Sequence, residues 1–471
     1  MLKRVLHIIL LALLLLPLMF ASCQKEGQWA TEGVELEFSC DTMAFDTVFT
    51  QMGTTTRQFK VYNRTGHDCR IREVTLQNGY SSRFRLNVDG DTSMVAKDLY
   101  IAAGDSMFVF VRANINPNLS TEPFLIEDAV LFRMDDGMQR IPLTAYGRNA
   151  IYHIPTDTII DADTAVIDQF GRPYAYSVID CEHWRHDLPH VIVGYAVVDS
   201  RRTLHLEAGD ELYFCEDAVL WIYDSATLDV RGTEERPVLF TSVRHDGHYD
   251  ALPGQWGFIW MMQGCVNNYI DHAVIENAFV GLQADSCSNS NPTLAISNTV
   301  IRNHTLAGMI GNTAYMLGDN LLIYNCGTAT LALQYGGWYD FGRCTFADYW
   351  TYEPRTVPSV QITNYRDYEE THYIWPMQSQ LTDCIIYGSR QSELIVDLDD
   401  RAEASATLTH CLVRGGEWDE DPKFADPHGG DYHLEEDSPA QGIGYQYPAC
   451  DTADRAARRL EMKRNRHGYK L

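Results

Sequence analysis

Between His272 and Gly415 one short pattern returns six times: a polar residue, a small one, a branched or aromatic pair, and an Asn, Asp or Gly two places on. The copies are Ala273-Val274-Ile275-Glu276-Asn277, Thr299-Val300-Ile301-Arg302-Asn303, Leu321-Leu322-Ile323-Tyr324-Asn325, Cys344-Thr345-Phe346-Ala347-Asp348, Cys384-Ile385-Ile386-Tyr387-Gly388 and Cys411-Leu412-Val413-Arg414-Gly415. Their anchors Ile275, Ile301, Ile323, Phe346, Ile386 and Val413 stand 26, 22, 23, 40 and 27 residues apart. A period of this size fits one coil of a parallel β-solenoid, with one longer excursion between Phe346 and Ile386.

Alternation along a strand points each anchor, and the residue two before it, into the core. The anchors then form a stacked ladder. Asn277, Asn303 and Asn325 fall at the following turn, where Asn tolerates left-handed backbone and can share amide hydrogen bonds with the next coil. Gly388 and Gly415 serve the same turn without a side chain. The residues just before the anchors, Val274, Val300, Leu322, Thr345, Ile385 and Leu412, point outward. That stripe implies either a covering segment of the chain or a partner.

Residues 34–150 carry a different signal. Alternating runs such as Gln58-Phe59-Lys60-Val61-Tyr62 and Met107-Phe108-Val109-Phe110-Val111 are separated by the turn signals Asn63-Arg64-Thr65-Gly66, Val88-Asp89-Gly90-Asp91 and Asp135-Asp136-Gly137. This predicts an antiparallel β-sandwich. Phe84 to Gly90, Ala103-Gly104-Asp105-Ser106 and Pro142 to Gly147 resemble immunoglobulin-like modules of Bacteroidota surface proteins, which implies a spacer or adhesion module.

From Thr203 the chain resembles right-handed parallel β-helix proteins, in Thr203 to Phe214, Ala218 to Ile222, Thr227 to Thr241 and Pro253-Gly254-Gln255-Trp256-Gly257. Asp421-Pro422-Lys423-Phe424 and Gly430 to Leu434 resemble the closing segment of such proteins. The expected fold class is therefore all-β, an N-terminal immunoglobulin-like β-sandwich followed by a right-handed parallel β-helix. Its divisions are a leader at 1–22, a tether at 23–33, the sandwich at 34–150, a connector at 151–200, the β-helix at 201–445 and a tail at 446–471.

The leader begins with Lys3 and Arg4 and continues as an apolar run from Val5 to Phe20, which suits a secretory signal. Phe20-Ala21-Ser22-Cys23 resembles a bacterial lipobox, implying acylation of Cys23 and a membrane partnership through lipid. Gln24-Lys25-Glu26 resembles the signal that sends Bacteroidota lipoproteins to the exterior face of the outer membrane, the periplasmic face being the alternative. A net charge of -27 argues against nucleic acid, which needs dense Lys and Arg. The cysteines are scattered rather than framed, so free buried thiols are expected over bridges, although Cys344, Cys384 and Cys411 share one slot.

β-Helix enzymes include lyases and hydrolases acting on acidic polysaccharides, and each chemistry makes a checkable demand. The absence of any Lys between Lys97 and Lys423 argues against a lysine base on the solenoid. Arg302, Arg343, Arg390, Arg401 and Arg414 remain as arginine candidates. A hydrolase needs paired carboxylates, and Asp397, Asp399 and Asp400 beside Arg401 form the dense cluster, read as a solvated loop. His245, Asp246, His248 and Asp250 have metal-ligand chemistry but loop context, and His183 and His186 flank Trp184. No catalytic residue, metal or cofactor is expected.

The excursion before Ile386 is rich in rings, and long solenoid insertions often carry binding. Trp350, Tyr352, Tyr365, Tyr373 and Trp375 are the expected glycan contacts. The sequence thus points to a noncatalytic, lipid-anchored envelope protein whose β-helix binds a polysaccharide or a surface protein. A polysaccharide lyase or hydrolase using Arg and carboxylates, and a scaffold for an outer-membrane partner, are the alternatives.

Overall fold

The computed structural model describes residues 35–447, apart from 55, 136, 162–163, 168–172, 245–248, 250 and 286–290. The chain divides into two compact units, residues 1–149 and 150–471. No helix among the described residues is long and apolar enough to cross a membrane.

In the first unit, one sheet orders Glu37–Phe38, Arg57–Tyr62, Ser106–Ala113 and Phe84–Val88. A second orders Met43–Phe49, Met138–Arg148, Phe124–Arg133, Cys69–Leu76 and Val95–Ile101. The expected alternation sets the burial, since Phe59 pairs with Val109 and Val61 with Met107, all buried. Phe45, Ile71, Phe84, Phe132 and Leu143 from the two sheets complete a shared apolar core. Pairing is antiparallel except for Met43–Phe49, which runs parallel to Met138–Arg148 with a bulge between Phe45 and Thr47.

The second unit is built from three parallel strand stacks, or walls, visited in turn by each coil. The first wall runs from Thr203–Glu207 through Thr227–Arg231 and Asn268–Asp271 up to Ala404–Thr409. The second holds the anchors, in the continuous register Phe240, Ile275, Ile301, Ile323, Phe346, Ile386, Val413. The third runs from Ala175–Val178 and Tyr195–Val198 to Leu394–Asp397. All six anchors are buried in one core.

The polar residue opening each repeat has its own role. His272, Asn298, Asn320, Arg343, Asp383 and His410 all adopt positive φ, between 48° and 56°, at the corner joining the first wall to the second. At the next corner Asn277, Asn303 and Asn325 have φ of 66°, 60° and 55°. Their amides are linked: Asn303 donates to Asn277 at 3.4 Å, and Asn325 donates to Asn303. Gly232 makes a corner through proximity rather than φ. An added Cβ there would meet the His272 carbonyl oxygen at 2.0 Å.

One expectation needs correction. Parallel pairing begins before Leu204, because Ile151–His153, Ala175–Val178, His190–Ile192 and Tyr195–Val198 already belong to the second and third walls. The stretch 151–200 is therefore part of the stack rather than a connector. For the outward stripe beside the anchors, the alternative realised over its later coils is a covering segment of the chain. Leu322, Ile385 and Leu412 are buried under Phe424, Tyr432, Ala440 and Ile443 of the closing segment. Gly444 N donates to the Asp383 carbonyl at 2.7 Å and Tyr445 N to Thr345 Oγ1 at 2.9 Å, which fastens that segment along the wall. Each Leu or Ile so covered contributes roughly 1.5–3 kcal/mol.

Every described cysteine is a free thiol. Cys344, Cys384 and Cys411 occupy stacked slots and hydrogen-bond to carbonyls, Cys384 to Phe341 O at 3.6 Å and Cys411 to Leu381 O at 3.3 Å. Thiol contact with Cys344 and burial hold Cys384 well above the ordinary thiol range, so thiolate chemistry is suppressed.

Candidate functional site

The long excursion between Phe346 and Ile386 contains two separate structures, a loop at 349–359 and a β-hairpin. The hairpin leaves the third wall after Val360–Thr363 and pairs Tyr365–Tyr368 with Thr371–Ile374. Asn364 closes its base, donating to Trp375 O at 3.1 Å and Asp399 O at 3.0 Å while accepting from Asp399 N at 2.7 Å. Alternation then sorts the side chains. Tyr365, Asp367 and His372 take one face, and Arg366, Tyr368 and Tyr373 take the other.

The second of these faces lines a cleft of about 460 Å³ together with Trp375. Tyr373 and Trp375 lie 6.0 Å apart at 21°, and Tyr335 from the preceding coil lies 5.9 Å from Trp375. Gly336 permits that approach, since a Cβ there would stand 2.6 Å from the Trp375 Cβ. The Arg366 guanidinium sits 5.4 Å from the Tyr335 ring and 5.3 Å from the Tyr368 ring. Among the described residues no carboxylate pairs with it. Tyr368 and Tyr373 keep 53% and 45% of their surface exposed, so ring faces and a cation are presented together.

The opposite face is occupied by internal contacts. Tyr365 Oη donates to Asp397 Oδ2 at 2.6 Å, and the His372 ring lies between Asp367 and Asp399, its Nε2 3.0 Å from Asp399. Arg401 forms a bidentate pair with Asp399. Hydrogen bonds from Arg401 hold the Asp399 carboxyl well below the usual carboxylate range, the opposite of what a general acid requires. The hydrogen bond to Asp367 raises His372. The predicted Asp397–Arg401 cluster is thus the seat of the hairpin, and Tyr365 anchors it instead of facing the cleft.

Trp350 and Tyr352 are likewise not in the cleft lining. Their rings lie 4.8 Å apart on the 349–359 loop, and Tyr352 Oη donates to Ala251 O at 3.0 Å. That loop is fixed by Arg355, whose Nη1 donates to Glu393 Oε2 at 3.0 Å and whose Nη2 donates to Asp348 O at 3.0 Å. Of the five expected ring contacts, the structure brings together Tyr373 and Trp375. Sequence reasoning missed Arg366, Tyr368 and Tyr335. The alternation in Tyr365-Arg366-Asp367-Tyr368 around the Glu369-Glu370 turn would have revealed the first two, whereas Tyr335 belongs to another coil.

The arginine candidates are all engaged. Arg302 pairs with Glu276 and Tyr324, Arg343 with Asp319, Arg401 with Asp399, and Arg414 with Asp419 and Tyr387, while Arg390 bonds the Arg355 carbonyl. Pairing raises Arg343, Arg401 and Arg414, which disfavours the neutral form a base would need. His183 bonds Asp180 at 2.9 Å and His186 bonds Asp210 at 2.8 Å, both within loop packing. His245, Asp246, His248 and Asp250 lie outside the described residues. Among those described, no group of His, Cys, Asp and Glu is arranged to hold a metal.

No family model matches the chain, and no curated protein matches it. Among solved structures, the catalytic unit of a thermostable GH87 α-1,3-glucanase from Streptomyces thermodiastaticus is similar over 75% of this chain and 74% of its own, at 11% identity and TM-score 0.27. A PapD-like domain of human CEP192 is similar over 26% of this chain and 91% of its own, at 13% identity and TM-score 0.17. A family 123 glycoside hydrolase from Clostridium perfringens is similar over 24% of this chain and 26% of its own, at 9% identity and TM-score 0.18. The strands of the described residues alone make the chain all-β, with a long parallel sheet consistent with a β-helix.

Proposed function

We propose that the second unit binds an acidic glycan at the hairpin cleft without turning it over. The observation carrying this reading is the Arg366 guanidinium, set against Tyr335 and Tyr368 with no carboxylate partner among the described residues, beside the exposed rings of Tyr373 and Trp375. Rings stack on sugar C–H faces, and a guanidinium recognises a carboxylate through paired donors. None of the described residues lining the cleft is a carboxylic acid or a free base able to cleave a glycosidic bond. We further read the first unit as an immunoglobulin-like spacer and the second as a right-handed β-helix. Acylation of Cys23, which lies outside the described residues, would hold both at the exterior face of the outer membrane.

Titrating the protein with an oligogalacturonate and with a neutral cello-oligosaccharide, followed by tryptophan fluorescence and calorimetry, tests the binding. Preferential binding of the acidic oligomer is expected, lost in Arg366→Ala and in Trp375→Ala. New reducing ends or unsaturated-uronate absorbance would refute the noncatalytic reading. Equal affinity for both oligomers, or wild-type affinity in Arg366→Ala, would refute the acidic one. For the anchor, Cys23→Ala should move the protein from the membrane fraction to the soluble fraction.

A further inference from the structure

A second cleft, of opposite electrostatic character, runs along the corner where the second wall turns into the third. It measures about 580 Å³ and takes residues from the starts of five successive third-wall strands. Tyr174 precedes Ala175–Val178, Tyr195 opens Tyr195–Val198, Glu216 and Asp217 precede Val219–Ile222, Phe258 precedes Ile259–Met261 and Phe279 precedes Val280–Asp285. At one strand spacing per coil the lining extends about 19 Å along the axis. Glycines lower its floor. At Gly194 a Cβ would stand 2.9 Å from Ala175 O, and at Gly257 2.8 Å from Ala218 O.

The rings here do not make a flat platform. Tyr174 and Tyr195 meet edge to face, 5.5 Å apart at 83°, and so form two perpendicular walls. Phe279 is 47% exposed, and Phe258 is half-buried beside it in the lining. Glu216 and Asp217 lie exposed on the turn before the middle strand, and no Lys, Arg or His appears among the described lining residues. Glu216 carries no hydrogen bond or ion pair to a described residue. A π-walled corner with a carboxylate beside it favours an organic cation, because the ring quadrupoles and the carboxylate attract the same charge.

We infer that this corner cleft is a binding site for an alkylammonium group, presented either by a protonated amino sugar or by a quaternary ammonium headgroup. The site is independent of the hairpin cleft, where an arginine selects the opposite charge.

Calorimetric titration of the full-length protein with choline, with a glucosamine oligomer below pH 7, and with the neutral N-acetylated oligomer tests the inference and separates the two sources. Binding of choline, of the amino oligomer or of both, with the acetylated oligomer inert, is the expected outcome. Glu216→Gln, an exposed change that leaves the core intact, should weaken binding by about tenfold, and Tyr195→Ala by a similar factor. Trp375→Ala should leave it unchanged. If neither cation binds, if the acetylated oligomer binds as well as the amino form, or if Glu216→Gln retains wild-type affinity, the inference is overturned.

Discussion

Arg355→Met offers a demanding test of how the ring-bearing excursion is held. The Arg355 side chain is 1% exposed and that of Glu393 is 0%. Glu393 also accepts from Ser359 N at 3.0 Å and Arg390 N at 2.9 Å, and Arg355 Nη1 lies 3.4 Å from Asp348 Oδ2. Removing the cation leaves two buried carboxyls facing each other, a loss of about 3–5 kcal/mol. That is a large part of the stability of an ordinary domain.

Burial already pushes Asp348 up to about 7 in the folded protein, against the attraction of Arg355, from an ordinary 3.8. A carboxyl that binds its proton more tightly when folded contributes stability at low pH and loses it as pH rises from about 4 toward 7. Without Arg355 the upward push on Asp348 grows and Glu393 loses its counterion. At pH 5 Asp348 relieves the clash by taking up a proton at little cost, and at pH 8 the same uptake costs more. Urea unfolding followed by tryptophan fluorescence should therefore show a larger loss at pH 8 than at pH 5. Arg355→Met/Glu393→Leu should cost less than the single change. Equal losses at the two pH values, or a loss below about 1 kcal/mol at pH 8, would refute the reasoning.

Two further outcomes follow from the same physics. His190 accepts from His153 at 2.8 Å and donates to Arg185 O at 2.8 Å under the stacked Trp184 ring, and burial lowers His153 to about 4 and His190 to about 3. The unfolded chain thus binds more protons between about pH 6.5 and 4, and hydrogen-exchange protection of residues 151–153 and 190–192 should fall as pH drops through that window; pH-independent protection would contradict it. Asn303→Ala should destabilise by about 1–2 kcal/mol through strain at its positive φ alone, plus the lost amide bonds, and Asn303→Gly by less, measured by urea unfolding.

Much of the frame was legible from local pattern. The anchors Ile275, Ile301 and Ile323 announced their stack because a parallel coil repeats its environment at a fixed period, so identical constraints select similar residues. The alternation of Phe59 and Val61 announced the first unit for the same reason. The outward stripe was visible, but its cover was not. Phe424 and Tyr432 reach Leu322 and Ile385 by folding back along the wall, a contact with no sequence period.

The candidate site shows the same division. Sequence located the excursion and its rings, since an interruption of the repeat is itself a signal. Sorting Tyr365 from Tyr373 depends on placing the hairpin's turn at Glu369-Glu370, because one residue's shift there reverses the face. Sequence could not place Tyr335 beside Trp375 or align Tyr174, Tyr195 and Glu216 along one corner, since these neighbours come from different coils. The sequence by itself determined the repeating all-β frame and where it breaks. Only tertiary stacking decided which rings and charges share a cleft, because a binding surface on a solenoid runs across the coils while the chain runs along them.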